Sequence, residues 1–275
     1  MDDRLVPLAD ATEESVFGGK AVSLGAAIRA GLPVPPGVAL GAVLVDRIAS
    51  GDRAALELLA TPDIPDARLA VRSSAVGEDS ADASFAGQHA TRLNIRKGAV
   101  HDAVRVVWAS ARTDAALAYR ARKGLPMQPR IGAVVQQLVE PIAAGVLFTR
   151  NPLTGADERM IEASWGLGEA VVSGIVVPDR VRLSPRGALL EFVVGEKDVK
   201  IWYDTGDGTE EVAVAEELRT EPCLAETHLA ALNDLADRCR RVWGPDLDLE
   251  WALGGDQAIY LLQCRPITTL RPNSP

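Results

Sequence analysis

The sequence predicts an α+β fold with two lobes, and three observations lead to this prediction. Helical and strand patterns mix along the chain without the regular βαβ alternation of a parallel sheet. The composition, 47% hydrophobic and 24% charged, is that of a globular protein. The length of 275 residues is enough for one two-lobed domain or two small ones. We place an N-terminal lobe at 1–135, a C-terminal lobe at 136–269 and a tail at 270–275.

Composition and charge exclude several classes of function. The net charge of -9 argues against a nucleic-acid-binding surface, which needs a basic face. No apolar stretch approaches the length of a membrane span, and the opening residues MDDR do not resemble a signal peptide. We therefore expect a cytoplasmic protein without a membrane or nucleic-acid partner. Cys223, Cys239 and Cys264 lack CxxC spacing, which predicts reduced thiols and no structural zinc.

The N-terminal half alternates helical and extended segments. Apolar residues recur at helical spacing from Gly19 to Ala30, and the prolines of LPVPPGVAL then favour an extended chain. Residues 41–60 predict one or two helices, followed by a loop and the strand LAVRSS. The longest helical pattern covers 98–123. This half therefore brings a glycine-led helix and a short polar strand into one lobe.

The C-terminal half is richer in strands. AVVQQLV and GVLFTRNP predict two β-strands, and the pattern of residues 187–204 predicts a β-hairpin. An amphipathic helix is expected at 225–243. The chain closes with the strands DLDLEWAL and AIYLLQCRPI, which a Gly-Gly-Asp turn joins. We expect these two strands to pair.

The closing strands carry a cluster of polar side chains. Asp248 and Glu250 are two residues apart, so both carboxylates project from one face of their strand. Gln263 and Arg265 have the same spacing on the next strand, and pairing of the strands would bring all four together. Oxygen ligands of this kind suit Mg²⁺ with nucleotide phosphates. A cross-strand ion pair from Arg265 to one of the two acids is the alternative.

Two further segments have the chemistry of a phosphate site. Gly18-Gly19-Lys20 leads into a helix, where backbone amides and an ammonium bind phosphate oxygens. Arg72 offers a planar guanidinium for a bidentate phosphate contact, and the serines and glycines after it permit close backbone approach. The alternatives are a plain helix start and a solvated strand end. Together with the acidic cluster, these segments indicate a Mg-nucleotide site.

Long ordered blocks of the chain resemble one family. They are GGKAVSLGAAIRAGLPVPPGVAL, LAVRSSAVGEDSADASFAGQ, VVQQLVEPIAAGVLFTRNP, GLGEAVVSG, DLEWAL and YLLQCRPIT. In this order they are similar to the ATP-binding domain shared by pyruvate phosphate dikinase, phosphoenolpyruvate synthase and rifampin phosphotransferase. The resemblance covers nearly the whole chain. It implies an ATP-grasp fold, in which ATP lies between two lobes.

The resemblance also implies roles for individual residues. Lys20 and Arg72 would hold ATP phosphates, with Ser73 beside them, and Arg265 would steady the transferring phosphoryl group; these three charged residues are the catalytic candidates. Glu250 and Gln263 would bind Mg²⁺, with Asp248 as a further metal ligand or a residue just behind the metal. Backbone groups of Gln137, Leu138 and Val139 would read the adenine edge. Glu169 either faces ATP or caps a helix.

The chain also departs from the family pattern. The segment between VPPG and VRSS is shorter than usual, and Ala115 replaces an arginine of the block WASLFTxRA. His89, His101 and His228 are not in the TSH-type context of the family's phosphoryl-carrying histidine. We therefore expect a phosphotransferase component whose acceptor is a histidine on a separate protein or a small molecule. A non-catalytic ATP-binding regulatory module and an ATP-grasp carboxylate-amine ligase are the alternatives.

Overall fold

The computed structural model describes residues 3–76, 90–122 and 124–267, which form an α+β fold in two compact units. Unit 1 lies within Met1–Arg29, Pro35–Leu138 and Tyr203–Gly208, and unit 2 within Ala30–Val34, Val139–Trp202 and Thr209–Pro275. The long segments therefore divide at Leu138/Val139, a few residues beyond the expected boundary. Within the described residues, no helix is both long and apolar enough to cross a bilayer.

The described helices are short, apart from one in unit 2. Unit 1 has α1 (Glu14–Phe17), α2 (Gly19–Arg29), α3 (Ala42–Ser50), α4 (Arg53–Leu58), α5 (Val100–Ser110) and α6 (Asp114–Arg122); unit 2 has α7 (Glu169–Val172) and α8 (Glu226–Trp243). The 18-residue α8 is the longest, so the expectation that 98–123 forms the longest helix is wrong. Thr113 ends that pattern, because its hydroxyl accepts the N–H of Ala116 and starts a second helix.

Unit 1 is built on a five-stranded antiparallel sheet with helices on both faces. Its strands are β1 (Leu5–Pro7), β2 (Gly37–Leu40), β3 (Leu69–Ala75), β4 (Thr91–Ile95) and β5 (Ile131–Gln137), in the order β1-β2-β5-β3-β4. Leu69, Val71 and Ala75 of β3 join α3 and α5 in one hydrophobic core. Alternation along the strand places Arg72 and Ser74 on the other face, against which α2 packs.

Unit 2 contains a six-stranded antiparallel sheet and a separate two-stranded one. The large sheet has β6 (Pro141–Phe148), β7 (Arg159–Trp165), β8 (Asp179–Leu183), β9 (Leu189–Val193), β12 (Leu247–Gly254) and β13 (Ile259–Pro266), in the order β13-β12-β6-β7-β8-β9. The small sheet pairs β10 (Val199–Tyr203) with β11 (Thr209–Ala213). Helix α8 packs against β12 and β13. The expected pairing of the two closing strands is confirmed.

The predicted hairpin over 187–204 is wrong, because β9 and β10 belong to different sheets. The chain between them is held by a buried carboxylate. Asp179 accepts hydrogen bonds from the Gly195 N–H at 2.9 Å and from the Lys197 ammonium, and both charged residues are completely buried. The Cys223 N–H donates to the same carboxylate at 2.8 Å. These non-local contacts turn the chain away from β9, and local sequence patterns do not report them.

Candidate functional site

Unit 1 carries a candidate phosphate-binding corner where α2 begins against β3. Gly18 has φ +80° and ψ 167°, and a Cβ there would lie 2.6 Å from the Ser74 hydroxyl oxygen. The Ala21 N–H donates to the same oxygen at 3.0 Å. Only glycine fits this conformation and this contact. The glycine pair and Ser74 thus hold the first turn of α2 directly on the strand that carries Arg72.

Two positively charged side chains lie in this corner. Lys20, in the first turn of α2, is only 7% exposed, and Arg72, two residues before Ser74 on the same strand face, is 8% exposed. Within residues 3–76, 90–122 and 124–267, the Lys20 ammonium makes no hydrogen bond or ion pair. The N–H groups of Gly19 and Lys20 likewise have no partner in these ranges. A buried ammonium and open amides at a helix N-terminus are suited to an anion.

The structure separates neighbouring residues that the sequence did not distinguish. Ser73 lies on the core face of β3 with Leu69 and Val71, so its side chain points away from the face of Arg72. On β5, Gln136 shares the Arg72 face and is 2% exposed, whereas Gln137 is exposed at the strand end. The Gln136 side-chain amide donates to the Pro35 carbonyl at 2.8 Å. Sequence reasoning missed Gln136, since the phase of the strand decides which glutamine faces the site.

The segment expected to read adenine has most of its amides engaged. The Gln137 N–H donates to the Pro36 carbonyl and the Leu138 N–H to the Arg68 carbonyl, both at 2.8 Å. These two N–H groups are therefore already used within the protein. The role of Gln137, Leu138 and Val139 in binding adenine stays a prediction.

Unit 2 carries a second candidate group, two cross-strand pairs of side chains on β12 and β13. The register places Asp248 directly opposite Arg265 and Glu250 directly opposite Gln263. Both acids are partly exposed, and Gln263 is 6% exposed. On the other side of β12, Glu250 faces Val146 and Asp248 faces Phe148 of β6. The convergence expected from the sequence is thus confirmed within this unit, and its apolar flank lies on β6.

The two cross-strand pairs, Asp248 with Arg265 and Glu250 with Gln263, differ in chemistry. Arg265 donates from Nε and Nη2 to one oxygen of Asp248, Oδ2, at 2.9 and 2.7 Å. This is the cross-strand ion pair that the sequence left open as an alternative. Burial raises the pKa of Asp248, while Arg265 opposes this rise and the nearby Glu250 charge adds to it. Glu250 and Gln263 present one carboxylate and one amide oxygen across the strand pair.

The oxygen donors of the Glu250–Gln263 pair fit Mg²⁺. Glu250 and Gln263 supply only oxygen donors, and Mg²⁺ in nucleotide sites usually binds one or two protein oxygens besides phosphate and water. The described residues contain no group of three or more His, Cys, Asp or Glu able to hold a metal ion.

The remaining candidates have other surroundings. Glu169 begins α7, and one carboxylate oxygen accepts the Thr209 hydroxyl at 3.3 Å within unit 2. Ala115 is exposed in the first turn of α6. The His101 ring lies 3.2 Å from the Gly98 carbonyl, and His228 accepts the Ala225 N–H at 3.1 Å at the start of α8. Both histidines thus have local structural contacts, and His89 lies outside the described residues.

Comparison with known proteins identifies the family. Residues 53–275 match the family described as pyruvate phosphate dikinase, AMP/ATP-binding domain. A probable phosphoenolpyruvate synthase of Methanothermobacter thermautotrophicus is 36% identical over 304 residues, which cover 93% of this chain and 44% of the relative. A rifampicin phosphotransferase of a Streptomyces species is 40% identical over 209 residues, covering 74% of this chain and 24% of the relative. The chain thus spans less than half of these relatives.

Among solved structures, an L-amino acid ligase from Bacillus licheniformis is similar with a TM-score of 0.43 and 14% identity, covering 91% of this chain and 43% of that one. The family match covers most of the chain, and the relative of 36% identity aligns with 93% of it. The chain therefore belongs to the pyruvate phosphate dikinase AMP/ATP-binding domain family, and its α+β fold is the ATP-grasp fold of that family.

Proposed function

We propose that this chain is the ATP- and Mg²⁺-dependent component of a phosphotransferase, which activates ATP for transfer of a phosphoryl group to an acceptor outside these 275 residues. The register of β12 and β13 is the observation that carries the proposal. It places a carboxylate opposite an amide and a second carboxylate opposite an arginine on one sheet face. Metal binding and stabilisation of phosphoryl charge need these two sets of groups side by side.

Unit 1 would supply the phosphate contacts. Lys20 and Arg72 are both more than 90% buried and lie beside the N-terminus of α2. Negative phosphate oxygens would balance the buried ammonium of Lys20 and accept the open N–H groups of Gly19 and Lys20. In this role the two cations bind and orient the triphosphate, and they stabilise the oxygen charge that develops during transfer.

Unit 2 would supply the metal ligands and a further cation. Glu250 and Gln263 would hold Mg²⁺, which supplies charge neutralisation on the phosphate oxygens when bound. Arg265 would contact the transferring phosphoryl group. Asp248 holds Arg265 at 2.7 Å, so the guanidinium is oriented before a nucleotide binds.

The acceptor is proposed to be a histidine on a separate protein or a small molecule. Neither described histidine is arranged as an acceptor, since His101 lies beside Gly98 and His228 caps α8. The relatives named above are longer than this chain, and their names indicate different products, phosphoenolpyruvate and a phosphorylated rifampicin. A shared ATP-activating domain with different acceptors would account for this difference.

An ATP consumption assay tests the proposal. The purified chain would be incubated with radiolabelled ATP and Mg²⁺, alone and with pyruvate, rifampicin, or the part of the Methanothermobacter relative beyond the aligned segment. Chromatography would separate AMP from ADP. We expect slow hydrolysis alone and an increase by orders of magnitude with the correct acceptor, because a positioned acceptor removes about 7–11 kcal/mol of the barrier.

The same assay separates the alternatives. A regulatory module would bind ATP without consuming it under any condition. A carboxylate-amine ligase would consume ATP only when a carboxylate and an amine are both present, and it would release ADP and phosphate. Failure to bind a non-hydrolysable ATP analogue at millimolar concentration with excess Mg²⁺ would refute the proposal itself.

A further inference from the structure

We propose that Asp248 is a positioning residue that orients Arg265 for the phosphoryl group, and that it is not a ligand of the metal. This inference rests on the proposed function, because Arg265 is assigned there to the transferring phosphoryl group. It assigns different roles to Asp248 and Glu250, the two acids that share one face of β12.

The ion pair has the geometry of a positioning contact. Asp248 and Arg265 are direct cross-strand partners, and two guanidinium nitrogens, Nε and Nη2, donate to a single oxygen, Oδ2. The third nitrogen, Nη1, takes no part in this ion pair. The Asp248 side chain is 12% exposed and that of Arg265 is 30% exposed, so the buried partner anchors the more accessible one. An arginine held this way has fewer rotamers to lose when a ligand binds.

The surroundings of Asp248 disfavour a metal ligand. Its cross-strand neighbours are Arg265 on one side and Phe148 on the other. A guanidinium bonded to one carboxylate oxygen repels a divalent cation and already uses that oxygen. Glu250 faces the neutral side chain of Gln263 instead, so it has an oxygen donor opposite it where Asp248 has a cation. The metal is therefore expected to bind at the Glu250–Gln263 pair.

Calorimetric titration of four proteins with a non-hydrolysable ATP analogue and with AMP tests this assignment. The proteins are the wild type, Asp248→Asn, Arg265→Gln and the double variant. Asp246→Asn is the matched control, because Asp246 pairs with Arg150 at 2.6 Å two residues earlier in the chain. Mg²⁺ would also be titrated at saturating analogue. AMP lacks the phosphoryl groups that Arg265 would contact, so it reports general damage to the site.

If Asp248 acts through Arg265, Asp248→Asn and Arg265→Gln should each weaken analogue binding about ten-fold and leave AMP binding unchanged. The double variant should bind the analogue within two-fold of Arg265→Gln alone. It also leaves no unpaired buried carboxylate, so if Arg265→Gln folds poorly, the double variant is compared with Asp248→Asn, which it should also match within two-fold. The Mg²⁺ concentration for half-saturation should not change in Asp248→Asn, and Asp246→Asn should bind like the wild type.

Three results would overturn the assignment. One is a ten-fold rise in the half-saturating Mg²⁺ concentration in Asp248→Asn, which would make Asp248 a metal ligand. Another is multiplication of the two single effects in the double variant, which would mean that the residues act independently. The third is an equal loss of AMP binding. If the wild type binds no analogue, the proposed function itself fails; the three results above leave that function standing.

Discussion

Substitution of Gly18 by alanine tests how the first turn of α2 is held. Gly18 has φ +80° and ψ 167°, a region that residues with a Cβ adopt at a cost of about 1–3 kcal/mol. The new Cβ would also overlap the Ser74 backbone carbonyl oxygen and lie 2.6 Å from the Ser74 hydroxyl oxygen, so α2 must move away from β3. Loss of the hydrogen bond from Ala21 to Ser74 adds about 1 kcal/mol. We expect a total destabilisation of about 2–4 kcal/mol.

Gly51→Ala is the matched control in the same unit. Gly51 has a similar φ of +82°, but the nearest atom to its Cβ would be an arginine nitrogen at 3.5 Å, an ordinary contact. The backbone strain alone should cost about 1–2 kcal/mol. Thermal unfolding should therefore show a larger shift for Gly18→Ala, at about 2–4 °C per kcal/mol, and weaker ATP-analogue binding in that variant only. Equal shifts with unchanged binding in both variants would refute the proposed close approach of α2 to β3.

Three further predictions concern charged groups. Lys20→Met should weaken ATP-analogue binding at least ten-fold without lowering the melting temperature. Lys97→Met should lower the melting temperature and leave analogue binding unchanged, because the Lys97 ammonium donates to two backbone carbonyls at 2.8 Å. Similar behaviour of the two lysine variants would contradict this prediction. Glu250→Gln should raise the half-saturating Mg²⁺ concentration at least ten-fold in calorimetry with an unchanged fold, and wild-type metal dependence would contradict the register argument. Hydrogen bonds from Arg182 and then Asn151 hold the pKa of Glu158 below its usual value of 4.5. The stability from Glu158 is thus present above pH 4.5 and lost as the pH falls through the lowered pKa, so urea unfolding should show Glu158→Gln less stable by about 1–3 kcal/mol at pH 7, with a difference that shrinks as the pH falls below 4.5. A pH-independent difference would count against this ion pair.

Local patterns predicted most elements and the pairing of the two closing strands. The closing strands could be paired from sequence because a Gly-Gly-Asp turn separates two runs with matched polar positions, and the register then follows. The helix after Gly18-Gly19 and the strand LAVRSS are also where their patterns indicate. These features depend on neighbours in the sequence, so a single chain reports them.

Features set by distant residues could not be predicted in this way. The path of the chain after β9 depends on the buried pair of Lys197 and Asp179, which are 18 residues apart. The choice between Gln136 and Gln137 depends on the phase of β5, which its pairing with β3 determines. A run of mostly apolar residues such as IGAVVQQ has no alternation to reveal this phase. The same phase decides that the side chains of Ser73 and Arg72 lie on opposite faces of β3.

The glycine pair before α2 and the strand LAVRSS pack directly against each other, so the conformation of each depends on the other. Gly18 contacts Ser74, and the Ala21 N–H donates to the Ser74 hydroxyl across 53 positions of sequence. Of the two serines after Arg72, Ser74 accepts the helix N–H and Ser73 lies on the core face of β3. Their small size lets α2 approach β3, and this approach brings the first turn of α2, which carries Lys20, to the strand that carries Arg72. A change at Ser74 should therefore impair phosphate binding through the position of Lys20, even though the Ser74 hydroxyl is occupied by the helix.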